Sequence, residues 1–160
     1  MANSRYLKLT NKRGVNIAPG YAGERSYEGW IRVISFTAKG GPSAKVADVS
    51  VVKSMDSASP KLRRMKDKRE DQPCNAVLDV IQRQVTGQII KYRYNMTNVR
   101  VYEIVADPGG TMRTYESDGD VLGASMKAYG PIEKVTLMCD PIPSPQLLSE
   151  PLPEEIWSSQ

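Results

Sequence analysis

The sequence predicts a mainly β protein, a small barrel or sandwich of about eight or nine strands flanked by one short α-helix. Three observations carry this reading. Apolar residues recur with a period of two through most of the chain, Gly, Pro, Asn and Asp interrupt these runs at short intervals, and one segment alone has helical composition. At 160 residues, 40% hydrophobic and 25% charged, the chain fits one folded domain with a substantial core.

Residues 4–10 (SRYLKLT) alternate and form the first expected strand. Residues 11–29 hold Gly14, Pro19, Gly20 and Gly23, which predicts a long loop with a short strand over 15–18. The β-branched and aromatic run 30–37 (WIRVISFT) predicts one central strand, with Trp30, Arg32, Ile34 and Phe36 on one face. Residues 38–44 (AKGGPSA) are a Gly/Pro connection, and 45–53 (KVADVSVVK) the next strand.

The helix is expected at 61–70 (KLRRMKDKRE), with Ser59 as N-cap, Pro60 at the first helical position and a narrow apolar face of Leu62 and Met65. Runs 74–84 and 88–95, joined around Thr86-Gly87, give a hairpin. Residues 96–106 continue as a strand or follow a bend, and 107–119 form a second loop. Strands over 121–129 and 132–139 finish the sheet, separated by Gly130-Pro131. The domain is expected to span 1–139. Residues 140–160, with five prolines, four acids and no base, read as an extended tail.

The chain contains no histidine, which removes Ser-His-Asp and Cys-His nucleophilic sites, histidine metal ligands and the usual neutral-pH acid-base. Carboxylates are scattered, so the expectation is a non-enzyme with no catalytic, cofactor or metal residues. Cys74 and Cys139 read as buried free thiols, with a disulfide between them as the alternative that nothing in the sequence calls for. No apolar run approaches the roughly 18–20 residues of a membrane span, and the first ten residues lack a signal-peptide core. The expected location is the cytoplasm at synthesis, with any export performed by a machine.

Four segments in order carry a family resemblance: residues 28–41 (EGWIRVISFTAKGG), residues 45–62 (KVADVSVVKSMDSASPKL), the hairpin around Thr86-Gly87 with tyrosines on its second strand, and the closing strands around Tyr129 and 132–138. On these the chain resembles the haemolysin-coregulated protein (Hcp) family, the inner-tube subunits of type VI secretion systems. The resemblance implies a barrel akin to phage tail-tube proteins and hexameric rings that stack into a hollow tube. It also implies a surrounding contractile sheath, a capping spike, effector proteins as cargo and release from the cell. A tail-tube protein of another contractile system is an alternative within the same class. The basic helix, the long loop 107–119 and the Pro-rich tail depart from the family pattern.

Two candidate interfaces follow. Lys39, Gly40, Gly41, Pro42 and Ser43 form either a plain hairpin connection or, as the resemblance implies, the loop that touches the next ring. Lys61, Arg63, Arg64, Lys66, Lys68 and Arg69 form either a solvated helix face or a charged contact with sheath, neighbouring subunit or cargo. Net charge is +4, but residues 1–139 carry +8, with 22 basic against 14 acidic residues. The runner-up function is a small all-β module for single-stranded nucleic acid. It is disfavoured because the cations lack interleaved aromatics to stack on bases. Trp30 reads as core, and the tail as either surplus chain or a strap over a neighbour.

Overall fold

The computed structural model describes residues 3–40, 45–107 and 131–149. Eight strands and one α-helix lie among them: β1 (Asn3–Thr10), β2 (Ile31–Val33), β3 (Ser35–Lys39), β4 (Ala47–Ser54), α1 (Ser59–Lys68), β5 (Cys74–Arg83), β6 (Ile89–Asp107), β7 (Ile132–Cys139) and β8 (Gln146–Ser149). Every pairing is antiparallel, and the order across the sheet is β2-β1-β5-β6-β7-β4-β3, with β8 on β6.

The expected single strand over 30–37 is instead two, and they lie at the two ends of the sheet path. Alternation fails there because Val33, Ile34 and Ser35 are all buried in succession. Ile34 turns its backbone to both sides: its N–H donates to Val52 O at 2.7 Å, and its carbonyl accepts from Arg5 Nη1 at 3.0 Å. The sheet therefore curls until one continuous run serves both edges, while the hydrogen-bond path itself stays open at Ile34.

The 19-residue β6 makes this curvature possible. It pairs with β5 through Val99 and with β7 from Arg100 onward. Between them β6 carries one extra residue relative to β5, and Asn98 adopts a left-handed φ of 55°. Such a bulge bends the strand, and Asn tolerates that conformation better than other side chains with a Cβ. A second bulge beside Val101 leaves Tyr102 64% exposed. The hairpin at Thr86-Gly87 forms as expected, with Gly87 at φ 89° and Gln84 N–H on Gln88 O.

Inward side chains of the strands make one core, including Leu7, Leu9, Ile31, Val49, Val51, Leu78, Met96, Val99, Val135 and Leu137. Helix α1 adds Leu62 and Met65 to it, together with Ala58 at its N-cap. Each large side chain so buried contributes about 1.5–3 kcal/mol, so Leu62→Ala alone is enough to loosen the helix from the sheet. Ser59 is not the N-cap expected. It lies inside the first turn, and Asp56 Oδ1 accepts the Ala58 N–H at 3.0 Å instead.

Of the loop 11–29, the expected strand over 15–18 reduces to one bridge between Asn16 and Thr10. Gly20 packs so closely that a Cβ there would sit 3.2 Å from Ile31 Cα. The loop lays Ala22, Tyr27 and Trp30 over Tyr6 and Ile81, a second small core on the outer face. The strand expected over 121–129 and most of the loop expected over 107–119 lie outside the described residues, although β6 runs on through Asp107. Beyond β7, Gln146–Ser149 pairs with β6 at residues Lys91, Tyr92 and Arg93.

Candidate assembly surfaces

The loop Lys39–Ser43 begins where β3 ends. Lys39 stands opposite Asp48 in the β3–β4 register and is exposed, and Gly40 has a φ of 103° that favours glycine. Gly41, Pro42 and Ser43 lie outside the described residues.

The basic helix divides into paired and unpaired cations. Lys61 bonds both Asp71 and Glu70, Arg64 Nε donates to Glu70 at 3.0 Å, and Lys66 reaches Asp67 at 3.3 Å. Burial works against the Lys61 ammonium, yet the hydrogen bonds to Asp71 and Glu70 prevail and raise its pKa. Hydrogen bonds from Arg64 and Lys61 hold Glu70 below the ordinary carboxylate range. Lys68 and Arg69 are exposed and have no acidic partner among the described residues. Arg63 alone turns toward the barrel, 3.4 Å from Glu133.

That contact leads to a buried polar cluster which the sequence reading missed. Lys53 and Glu133 are fully buried, and the ammonium lies 2.6 Å from Oε2. Lys53 Nζ also approaches Asp56 Oδ1 (2.9 Å), Ser54 O (2.9 Å) and Ser59 Oγ (3.1 Å). Ser59 in turn donates to Glu133 Oε2 at 2.5 Å and accepts the Asp56 N–H at 3.0 Å. β4 and β7 position the ion pair, since Lys53 stands opposite Glu133 in their register. The signal lay in parity: both follow the inward positions of their strands, Val49 and Val51 before Lys53, and Val135 and Leu137 after Glu133. The cluster fastens α1 to the sheet. Ammonium, hydroxyl and carboxylate bond one another here, which suits a clasp between helix and sheet.

A second network stands on the outer face. Asp79, 1% exposed, accepts from Arg93 Nε (2.7 Å), Arg93 Nη2 (2.9 Å) and Tyr27 Oη (3.0 Å). Burial, then the hydrogen bond to Asp79, pushes the Tyr27 phenol well above its ordinary value, and the same carboxylate raises Arg93. Tyr27 stacks on Tyr6 at 4.2 Å and meets Trp30 edge-on at 4.9 Å. Trp30 is therefore core, as its sequence suggested, with Lys8 4.7 Å above its ring.

Cys74 and Cys139 are free and buried, and burial raises each thiol from 9.0 to about 11. Among the described residues no group of three His, Cys, Asp or Glu is placed to hold a metal, and no helix is long and apolar enough to cross a membrane. A cleft of about 400 Å³ opens between Asn3, Arg5, Phe36, Tyr92 and Tyr94.

Comparison with known proteins agrees with this architecture. A variant of Hcp1 from E. coli EAEC 042 superposes with a TM-score of 0.59 at 19% identity, covering 85% of this chain and 86% of that one. Hcp3, a secreted protein of Pseudomonas aeruginosa, gives 0.60 at 14% identity with 85% of each chain covered. Hcp1 of Salmonella typhimurium gives 0.57 at 18% identity, over 86% of this chain and 80% of that one. At such identities the likeness is one of fold. No curated protein matches the chain. The family described as "Type VI secretion system effector, Hcp" matches residues 6–139, from within β1 to the end of β7. The chain belongs to the Hcp family of type VI secretion proteins.

Proposed function

We propose that six copies of this chain close into a ring, and that rings stack into the inner tube of a type VI secretion system. The tube carries effector proteins inside a contractile sheath, behind a spike, and leaves the cell with them. The observation that carries this reading is the family match over residues 6–139, which takes in every strand that builds the sheet except β8.

The chemistry of the molecule supports a structural role. Its buried charges, Lys53, Glu133, Asp79 and Arg5, are used within the fold, and no histidine is present. Tyr21 in the loop after β1, Val85 at the hairpin tip, and Tyr102 and Val105 on β6 are large apolar side chains left exposed, which suits a subunit covered by neighbours. The loop Lys39–Ser43 is assigned to contact between rings, and the basic face of α1 to a neighbouring subunit or the sheath. Electron microscopy of the purified protein tests the reading. Rings of six with a central hole are expected, and a field of separate small particles at every concentration overturns it.

A further inference from the structure

The β1–β5 ladder keeps one register from Asn3 opposite Gln82 to Thr10 opposite Asn75, and its two ends differ in shape. At one end the β5–β6 hairpin projects a tip. There the Gln84 N–H donates to Gln88 O at 2.7 Å and the Gly87 N–H to Gln84 O at 2.9 Å, with Gly87 at a φ of 89°. A three-residue hairpin loop closes in this way. Val85 and Thr86 form its corner, and the turn uses neither of their carbonyls. The Val85 side chain is 92% exposed, an apolar group held out in solvent by a closed turn.

The other end carries a hollow of about 370 Å³, walled by residues 11–13, which follow β1, and residues 71–73, which precede β5. Both walls are fixed from behind. Asn11 Oδ1 accepts the Arg13 N–H at 2.8 Å and the Val15 N–H at 3.1 Å, which folds the first wall into a tight turn. In the second wall the Gln72 amide donates to Met65 O and accepts the Val101 N–H at 2.5 Å, so α1 and β6 both hold it. Lys12 and Arg13 are exposed at the rim. Asp71, the one carboxylate in the walls, is engaged by Lys61.

We infer that the hairpin tip of one copy docks in this hollow on a second copy. Val85 sits between the two walls, and the Val85 and Thr86 carbonyls accept hydrogen bonds from Lys12 and Arg13. Arg83, exposed at the base of the tip, brings a cation toward Asp71. The tip cannot fill its own hollow, because the ten residues of β5 hold the two about 30 Å apart. A knob and a hollow at opposite ends of one ladder make a heterologous contact. Such a contact repeats in one direction and builds an open stack rather than a closed pair. Both surfaces are shaped by their own hydrogen bonds before they meet, so docking orders little further chain. The inference rests on the tube reading and adds a polarity to it: each subunit gives its tip to one ring and receives a tip from the other.

The test uses two full-length variants, Val85→Cys and Lys12→Cys, each changed at an exposed side chain and each assembled into rings by itself. Native mass spectrometry establishes that the mixed rings still hold one variant each. On mild oxidation, a disulfide between the two introduced thiols then forms only where a tip of one ring meets a hollow of another. Its yield is expected to exceed by at least about tenfold the yield when Lys68→Cys, on α1 outside the hollow, replaces Lys12→Cys, since docking raises the local thiol concentration. Rings that give no such disulfide, or give it no more often than the Lys68→Cys rings, overturn the inference and leave the six-subunit ring standing. A protein of single-subunit mass throughout defeats the tube reading and this inference together.

Discussion

Lys53 Nζ and Glu133 Oε2 meet at 2.6 Å with both side chains wholly out of solvent, and the pair joins the ends of β4 and β7 beneath the first turn of α1. Removing one partner leaves a buried charge without its counterion. Glu133→Gln or Lys53→Met is therefore expected to cost about 3–5 kcal/mol in urea unfolding. The double variant Lys53→Met with Glu133→Leu is expected to cost much less than the two together, because no charge is stranded. A loss below about 1 kcal/mol for either single variant would mean that water reaches the cluster.

The two thiols set an alkaline limit on stability. Cys74 and Cys139 ionise near 9.0 when unfolded but only at about 11 when folded, chiefly because of burial. A folded pKa raised in this way gives stability that is complete below pH 9 and lost as pH rises toward 11. The urea midpoint is expected to fall across that window, and Cys74→Ala with Cys139→Ala to flatten the slope. A midpoint independent of pH from 9 to 11 in the parent protein contradicts the assignment.

The connection after β3 separates ring formation from stacking. Replacing Lys39–Ser43 by an Asn-Gly turn keeps the β3–β4 register from Ser35 opposite Val52 to Ala38 opposite Val49. Rings are expected to persist while tubes shorten or vanish in electron micrographs. Tubes of normal length from this variant remove the loop from the stacking contact.

The cations of α1 also distinguish a protein contact from a nucleic-acid one. Phosphate binding through such charges is independent of sequence and collapses with salt. Fluorescence anisotropy with a labelled single-stranded oligonucleotide at about 150 mM salt is expected to show only feeble binding. Sub-micromolar affinity, abolished by Arg63→Glu with Arg64→Glu, would favour the nucleic-acid module instead.

Much of this architecture was legible in the sequence because a half-buried strand writes a period of two. β1, β4, β5 and β7 lie within two residues of their expected bounds, and the Thr86-Gly87 turn and the Leu62–Met65 face of α1 are where composition put them. Period failed where the fold uses backbone rather than side-chain alternation. Val33, Ile34 and Ser35 are buried in succession because Ile34 links the two sheet edges through its own N–H and C=O. The Pro-rich composition after β7 hid β8, a short ladder on an edge that β7 leaves uncovered. Lys53 read as the polar end of a strand, because its partner Glu133 lies 80 residues away and only the β4–β7 register brings them together. Assembly surfaces leave a fainter trace, since an exposed cation looks the same in sequence whether it meets water or a neighbour.

The mass of the purified protein tests the central claim most directly. Multi-angle light scattering across a wide concentration range is expected to give a species of six times the 17.7 kDa subunit. A single 17.7 kDa species at every concentration would contradict the account.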